Sequence, residues 1–565
     1  MKRILFWSLF LLTGFAQAQP FNNEWIDYNK TYYKFSVGSD GLYRISQSVL
    51  SGIGLGSTPA EQFQLWRNGE QVPLFTSVAT GAMGASDYIE FWGRMNDGRP
   101  DKVLYRNQDH QLNDRWSLET DTAVFFLTVN PTGNNLRLVN TANTLPTSAT
   151  PEPFFYHTAA LNHKQRINPG YAAIVGSAVY SSSYDQGEGW TSNDIGYNVT
   201  RTDNLTGLFP YTGTGANTPI LNLSATGNAL NPRTFSISVN STQLDLATMD
   251  YFDYVRRIVS VPTSLIASGT ASVAVKNLST NNPDRMALAK MELLYPRLFN
   301  FGGANNFAFP LQDGTAGNYL EITGFTHGGV APVLYDFTNG QRYVCDIATA
   351  GMVKVMLAPA AGVRNLLLVS QATGVPQFVS NLQSRSFVNY GLSSNQGNYL
   401  MISHSAILNG TGGTTPVEDY RAYRSSAAGG GYTAKIYMID QLVDQFAFGI
   451  RLHPLSVRNF IRYARATYSS PVKNVLLVGK GVEYTANRGS LSNPDLNRLS
   501  FIPTFGNPAS DVLLAADPGL NGIPQVSIGR LSVINGDEVR SYLDKVIQYE
   551  QHLVFQSPLA LVLYT

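Results

Sequence analysis

The chain is 565 residues long, and its 40 Lys and Arg against 39 Asp and Glu leave a formal net charge of +1. That balance gives no electrostatic footprint for a polyanion and excludes nucleic acid as an expected partner. Charged residues make up only 14%, while 50 Gly, 28 Pro, 30 Tyr and 29 Phe fit exported β-domains with long turns rather than a charged helical protein.

The first residues read as a secretory signal peptide. Lys2 and Arg3 precede the apolar run "ILFWSLFLL", and "AQA" at 16–18 supplies the small residues of a cleavage site, so residues 1–18 are expected to be cut after Ala18. No other stretch approaches the ~20 apolar residues of a membrane span. The mature chain is expected to be exported.

Residues 19–150 alternate polar and apolar positions in short segments: "TYYKFSV", "GLYRIS", "FQLWRNGEQVPLF", "DYIEFWGR" and "DTAVFFLTVN". Asp40-Gly41 and Asn68-Gly69 are hairpin signals. The Thr/Asn/Pro-rich "NTANTLPTSATPEP" reads as a linker. Residues 151–305 continue as a sandwich-like β-domain with regular strands and turns. A third β-region spans 306–390, with Asn339-Gly340 as a further hairpin turn. Within it lies Cys345, the single cysteine of the chain, so no intramolecular disulfide forms. Its alternating surroundings point to a buried strand position rather than an activated thiol. In "DQGEGW" two carboxylates, Asp185 and Glu188, stand near Trp190. They are candidates for a glycosidase pair, but a turn with two exposed acids gives the same pattern.

From about 391 strands alternate with helices. "NYLMISH", "YTAKIYMID", "VKNVLLVGKG", "QVSIGRLSV" and "LALVLY" read as strands, and "VEDYRAYRSS", "HPLSVRNFIRYARATY" and "EVRSYLDKVIQYE" as helices. This order implies a mostly parallel sheet covered by helices. The last helix is expected to be capped by Asn535 with Glu538 three residues on, and to bury Val539, Leu543, Val546 and Ile547. In such a sheet, function gathers at the carboxyl ends of the strands. Those are Ser403-His404, Asp440, Gly479 to Glu483, and Gly529-Arg530. "GKG" lacks the spacing of a phosphate loop, and the two glycines there serve a tight turn. His404 is a candidate catalyst, although a lone histidine at a strand end is more often a structural hydrogen-bonding group. Seven scattered histidines with no HExxH or Cys/His cluster support no zinc site.

The ordered series "NYLMISH", "DQLVDQFAFG", "HPLSVRNFIRYA", "VKNVLLVGKG", "IPTF", "ASDVLLA", "VSIGRLSV" and "EVRSYLDKVIQYE" resembles gingipain-type cysteine peptidases, and among them the sortase-like peptidases of Bacteroidetes type IX secretion. The front segment "NEWIDYNKTYYKF…LWRNGEQVPLF…DYIEFWGRMNDGRPDK" is similar to the N-terminal region of the same group. The resemblance implies N-terminal all-β modules followed by a caspase-like α/β domain over 391–565, and peptide cleavage by a Cys–His dyad with an oxyanion held by backbone amides. In the family the His sits in a Gly-His-Gly loop and the Cys in a later strand-end loop, both downstream of the "IGRL" helix. The expectation is therefore that the catalytic residues lie beyond Thr565, that the α/β domain here is its N-terminal part, and that neither Cys345 nor His552 is the catalyst. Asp511 matches a position that contributes the acid at the base of the substrate pocket in arginine-specific members, and an Asp capping a turn explains it equally well. Arg530 reads as a structural arginine pairing a carboxylate. No cofactor is implied; "DPGLNG" (517–522) offers oxygens to a structural calcium without the full spacing of a calcium loop.

Two readings of function follow. The first is an exported gingipain-like peptidase acting on protein or peptide substrates, with type IX secretion components at the outer membrane as partners and the periplasm, the cell surface or the medium as its place. The second is a non-catalytic adhesion or carbohydrate-binding β-module protein, which clustered aromatics on one exposed sheet face would favour.

Overall fold

The computed structural model of the protein describes residues 21–312, 314–489, 493–519 and 522–552. The signal peptide over 1–18 and the strand expected in "LALVLY" lie outside these residues.

The first module is a two-sheet sandwich. One sheet runs in the order Gln383–Ser386, Thr31–Val37, Ala123–Val129, Phe63–Arg67, Glu70–Val72, and the other in the order Gln377–Phe378, Gly41–Ser46, Tyr88–Gly93, Phe75–Thr76. Period-2 alternation turns Phe35, Phe91 and Phe125 inward, where their rings meet at 5.5–5.7 Å. Asn68-Gly69 makes the expected hairpin: both residues have positive φ, 51° and 75°, and Arg67 pairs with Glu70. Asp40-Gly41 does not. The strands on either side of it join opposite sheets, because the Asp40 carboxylate instead accepts the Met95 N–H at 2.9 Å and pairs with Arg115 at 3.1 Å. The turn is a sandwich corner.

Segment 377–386, grouped by sequence with the third β-region, supplies an edge strand to each sheet of the first module. Thr31 pairs with Ser386 and Tyr43 with Gln377, and Val379 and Leu382 are buried in the same core as Phe35 and Leu65. The second module packs Arg285–Arg297, Ile220–Gly227 and Tyr254–Ser260 against Ala271–Asn277 and Arg233–Val239. The third builds its core from Phe301, Phe309, Leu320, Leu334 and Tyr343, and Cys345 lies inside it. Asn339-Gly340 again closes a hairpin, Asp336 pairing with Gln341.

The α/β region forms a sheet of four parallel strands among the described residues, in the order Ala434–Met438, Tyr399–Ser403, Asn474–Val478, Ser527–Leu531. Register aligns Met438, Ser403, Val478 and Leu531 at one edge, so the carboxyl ends open onto a common face. The helices Ile439–Phe446 and Leu455–Thr467 meet through Phe446 and Phe460, ring centroids 5.5 Å apart. The helix Gly536–His552 buries Val539 and Leu543. Its start is capped as expected: the Asn535 side chain accepts the Glu538 N–H at 3.0 Å, and the Glu538 carboxylate accepts the Ile534 N–H at 2.9 Å. No helix of the described residues is long and apolar enough to cross a membrane.

The β-modules and the α/β region share one core. Leu104, Leu118, Tyr184 and Trp190 from the front of the chain pack in the same cluster as Leu400, Phe460 and Leu477. A buried polar contact fixes the joint. Asp101 accepts the Leu118 N–H at 2.7 Å and meets His453 Nε2 at 3.1 Å, with both side chains fully enclosed. His453 Nδ1 accepts the Leu455 N–H, which places the imidazole proton on Nε2, facing Asp101.

Candidate functional site

At the carboxyl ends of the parallel strands lies a cleft of about 590 Å³, walled by Ile439, Val443, Leu452 and Phe501 and carrying His404, Asp440, Asp444, Arg451 and Lys34. Several elements position these polar groups. Asp440 and Asp444 stand four apart on the helix Ile439–Phe446, hence on one face. Two like charges at that spacing repel, and Arg385 offsets them by bridging both, at 2.9 Å to Asp440 and 2.8 Å to Asp444. Lys34, from the first sandwich, reaches Asp444 at 3.0 Å. Burial pushes the Asp444 carboxyl up, and Lys34 and Arg385 pull it back. His404 follows the strand Tyr399–Ser403 and caps the short turn Ser405–Ile407, its Nδ1 accepting the Ala406 N–H at 3.1 Å. Burial lowers its pKa, with Asp440 opposing. An apolar trough whose lining carries charges of both signs can hold a side chain with a polar end. It contains no thiol: Cys345 is buried in the third module, and desolvation holds its pKa up at about 12.

Beside the cleft, Gly479 to Glu483 turn the chain after its strand, Gly479 at φ 143°. The Glu483 carboxylate accepts the Ala509 N–H at 2.9 Å. Arg530 gathers this corner. Its guanidinium donates to Gly479 O at 2.9 Å, Ile502 O at 3.0 Å and Pro503 O at 2.8 Å, and to both oxygens of Asp511. Asp511 and Arg530 are thus brought together, and the Asp511 carboxylate faces a guanidinium of its own chain.

The other residues singled out by sequence lie apart from the cleft. Glu188 is buried with its carboxylate on the Tyr484 hydroxyl and the Asp185 N–H. Asp185 turns instead to His110 at 3.4 Å and Arg106 at 3.9 Å. Glu188 therefore caps a local turn and closes a joint between modules. Asp517 is held by Arg465 at 2.7 Å, and Leu520 and Asn521 of "DPGLNG" are outside the described residues. Strand-end reasoning reached His404, Asp440 and Arg530. It missed Asp444, whose i, i+4 relation to Asp440 was available, and Lys34 and Arg385, which arrive from another module and leave no local signal.

Residues 392–561 match the model of peptidase family C25. A search among curated proteins finds none that matches. Among solved structures, dimeric latent PorU from Porphyromonas gingivalis is similar with a TM-score of 0.57 at 14% identity, covering 92% of this chain and 49% of that one. The chain thus spans about half the length of that protein, and at such identity the likeness is one of fold. The CBM36-1 domain of a multidomain xylanase from the hindgut metagenome of Trinervitermes trinervoides aligns at a TM-score of 0.16 and 8% identity over 24% of this chain and 96% of its own. The C-terminal CBM6 of LamC from Zobellia galactanivorans aligns at 0.14 and 14% over 24% and 99%. Neither is close enough to bear on function.

Proposed function

We propose, on the premise that residues 392–561 belong to peptidase family C25, that this chain is the substrate-facing and scaffolding part of an exported gingipain-type cysteine peptidase. The observation that carries the reading is the cleft at the carboxyl ends of the parallel sheet, where an α/β fold places its chemistry. Its apolar walls and charged lining receive a peptide, and the nucleophilic thiolate and its histidine come from family sequence downstream of the "IGRL" helix. No cofactor enters this chemistry. The shared fold with latent PorU supports a role at the cell surface, with protein substrates and type IX secretion components as partners.

The test compares two proteins on a set of fluorogenic peptides. The 565-residue chain is expected to hydrolyse none. The same chain continued through the downstream reading frame is expected to hydrolyse at least one and to lose that activity on alkylation with iodoacetamide. Hydrolysis by the shorter chain, or hydrolysis by the longer chain that survives alkylation, would reject the reading.

The carbohydrate-binding reading finds little support. Large exposed aromatics among the described residues are Tyr171, Tyr197, Tyr251, Phe378, Tyr542 and Tyr549, spread over several modules, with no Trp among them. The ring contacts of Tyr171 and Tyr542 go to Phe252 and Tyr420 rather than to one another.

A further inference from the structure

A second cleft, of about 330 Å³, lies between the loop carrying Tyr105, Arg106 and Gln108, the residue Ser183, and the α/β residues Arg458 and Asp517. It shares no lining residue with the sheet-end cleft. Its distinctive group is Arg458, which is 6% exposed. A guanidinium carries five N–H donors. Nε donates to Ala516 O at 3.0 Å, and the Phe505 ring lies 5.1 Å away. The four hydrogens on its two Nη atoms have no hydrogen-bond partner among the described residues. These Nη groups are not sealed from solvent, and with Arg458 in the lining of the cleft their donors are free to meet a ligand there. Burial draws its pKa down to about 10, with Arg462 acting in the same sense and Asp517 against it.

The charges around it leave the place open for an anion. Arg106 also lines the cleft, its side chain about half exposed, with Ser181 Oγ at 3.2 Å and Asp185 at 3.9 Å. Asp517 is already neutralised by Arg465 at 2.7 Å and Arg462 at 3.9 Å. The Tyr105 hydroxyl is engaged on Glu188 O at 2.8 Å, while Ser183 and Gln108 add neutral polar lining. We propose that this cleft is an oxyanion-binding site, for a carboxylate or a phosphate group, in which the planar fork of Arg458 takes two oxygens and Arg106 supplies the second positive charge. Bidentate recognition of that kind is what a guanidinium does and an ammonium does not.

The site is tested on the whole 565-residue chain by thermal unfolding in sodium phosphate and in sodium acetate, against sodium chloride of matched ionic strength. A ligand that binds only the folded state raises Tm with its concentration. At least one of the two oxyanions is expected to raise Tm above the chloride reference in a saturable way. Arg458→Lys, which keeps the charge but loses the fork, and Arg106→Gln, at the half-exposed position, are each expected to weaken the apparent affinity by about tenfold or more. A response to acetate alone assigns a carboxylate ligand, and a response to phosphate alone a phosphate. No shift beyond chloride for either, or an affinity unchanged in Arg106→Gln, overturns the site even if Arg458→Lys folds poorly.

Discussion

Arg530 closes on Asp511 with two hydrogen bonds side by side, Nε to Oδ2 at 2.8 Å and Nη2 to Oδ1 at 2.7 Å. A carboxylate that the family resemblance offers to a substrate guanidinium is therefore taken by a guanidinium of the chain itself, one that also ties three backbone carbonyls together. Removing the arginine leaves the acid and the carbonyls without donors. Arg530→Met is expected to cost roughly 3 kcal/mol in urea unfolding, and Asp511→Asn less, since the carbonyl contacts remain. In a catalytically active longer chain, the pairing predicts that Asp511→Asn leaves the ratio of kcat/KM for arginyl over lysyl peptides unchanged. A collapse of that ratio with stability retained would return Asp511 to the substrate pocket.

Gly481 sets how closely the strand-end turn approaches the 502–504 segment. A Cβ there would lie 2.6 Å from Ile502 O, 2.5 Å from Thr504 Cγ2 and 3.0 Å from Arg530 Nη1. Gly481→Ala must push that segment away and disturb the arginine with it, for an expected loss of about 2 kcal/mol. Gly489 is the control: it ends the helix Tyr484–Gly489, and its Cβ would meet nothing within 4 Å. Gly489→Ala is expected to be neutral or slightly stabilising. Equal Tm changes for the two substitutions would contradict this assignment of the tight approach.

What the sequence shows of this fold is what is local. Alternation exposes the strands, and the change to strand–helix order after 391 exposes the parallel sheet, because each pattern is written within one element. Asn68-Gly69 and Asn339-Gly340 are legible for the same reason. Asp40-Gly41 misleads because a turn dipeptide does not state which sheet the chain enters next. The closure of the first sandwich by 377–386 is hidden, since Thr31 meets Ser386 across almost the whole β-region. The site divides the same way. His404, Asp440 and Arg530 follow from strand ends, whereas Lys34 and Arg385 reach Asp444 from the first sandwich, and spacing alone does not pair Arg530 with Asp511.

Cys345 lies among Leu334, Tyr343 and Val355 in the third module, and burial pushes its thiol up to about 12. Thiolate is the reactive species, so at pH 8 the native protein holds almost none. Iodoacetamide is expected to leave the folded 565-residue chain unlabelled and to modify Cys345 only after urea unfolding, as mass spectrometry would show. Rapid labelling of the native chain would mean an accessible, activated thiol and would reopen its candidacy as nucleophile.

Glu188 links acidity to the joint between the β-modules and the α/β region. It is buried beneath Tyr484, and desolvation raises its carboxyl from 4.5 to about 8, against the pull of the Tyr484 hydroxyl and the Asp185 N–H. Between those two values the folded chain keeps a proton that the unfolded chain has released. Stability therefore falls as pH rises through that window and levels off above it. The whole effect is on the order of a few kcal/mol. Glu188→Gln has no proton to lose. Relative to the parent, its urea midpoint is expected to improve steadily from pH 5.5 to pH 8.5, whatever offset the substitution brings at low pH. Parallel profiles for the two proteins would show that the Glu188 carboxyl titrates at its ordinary value and that the joint is insensitive to its charge.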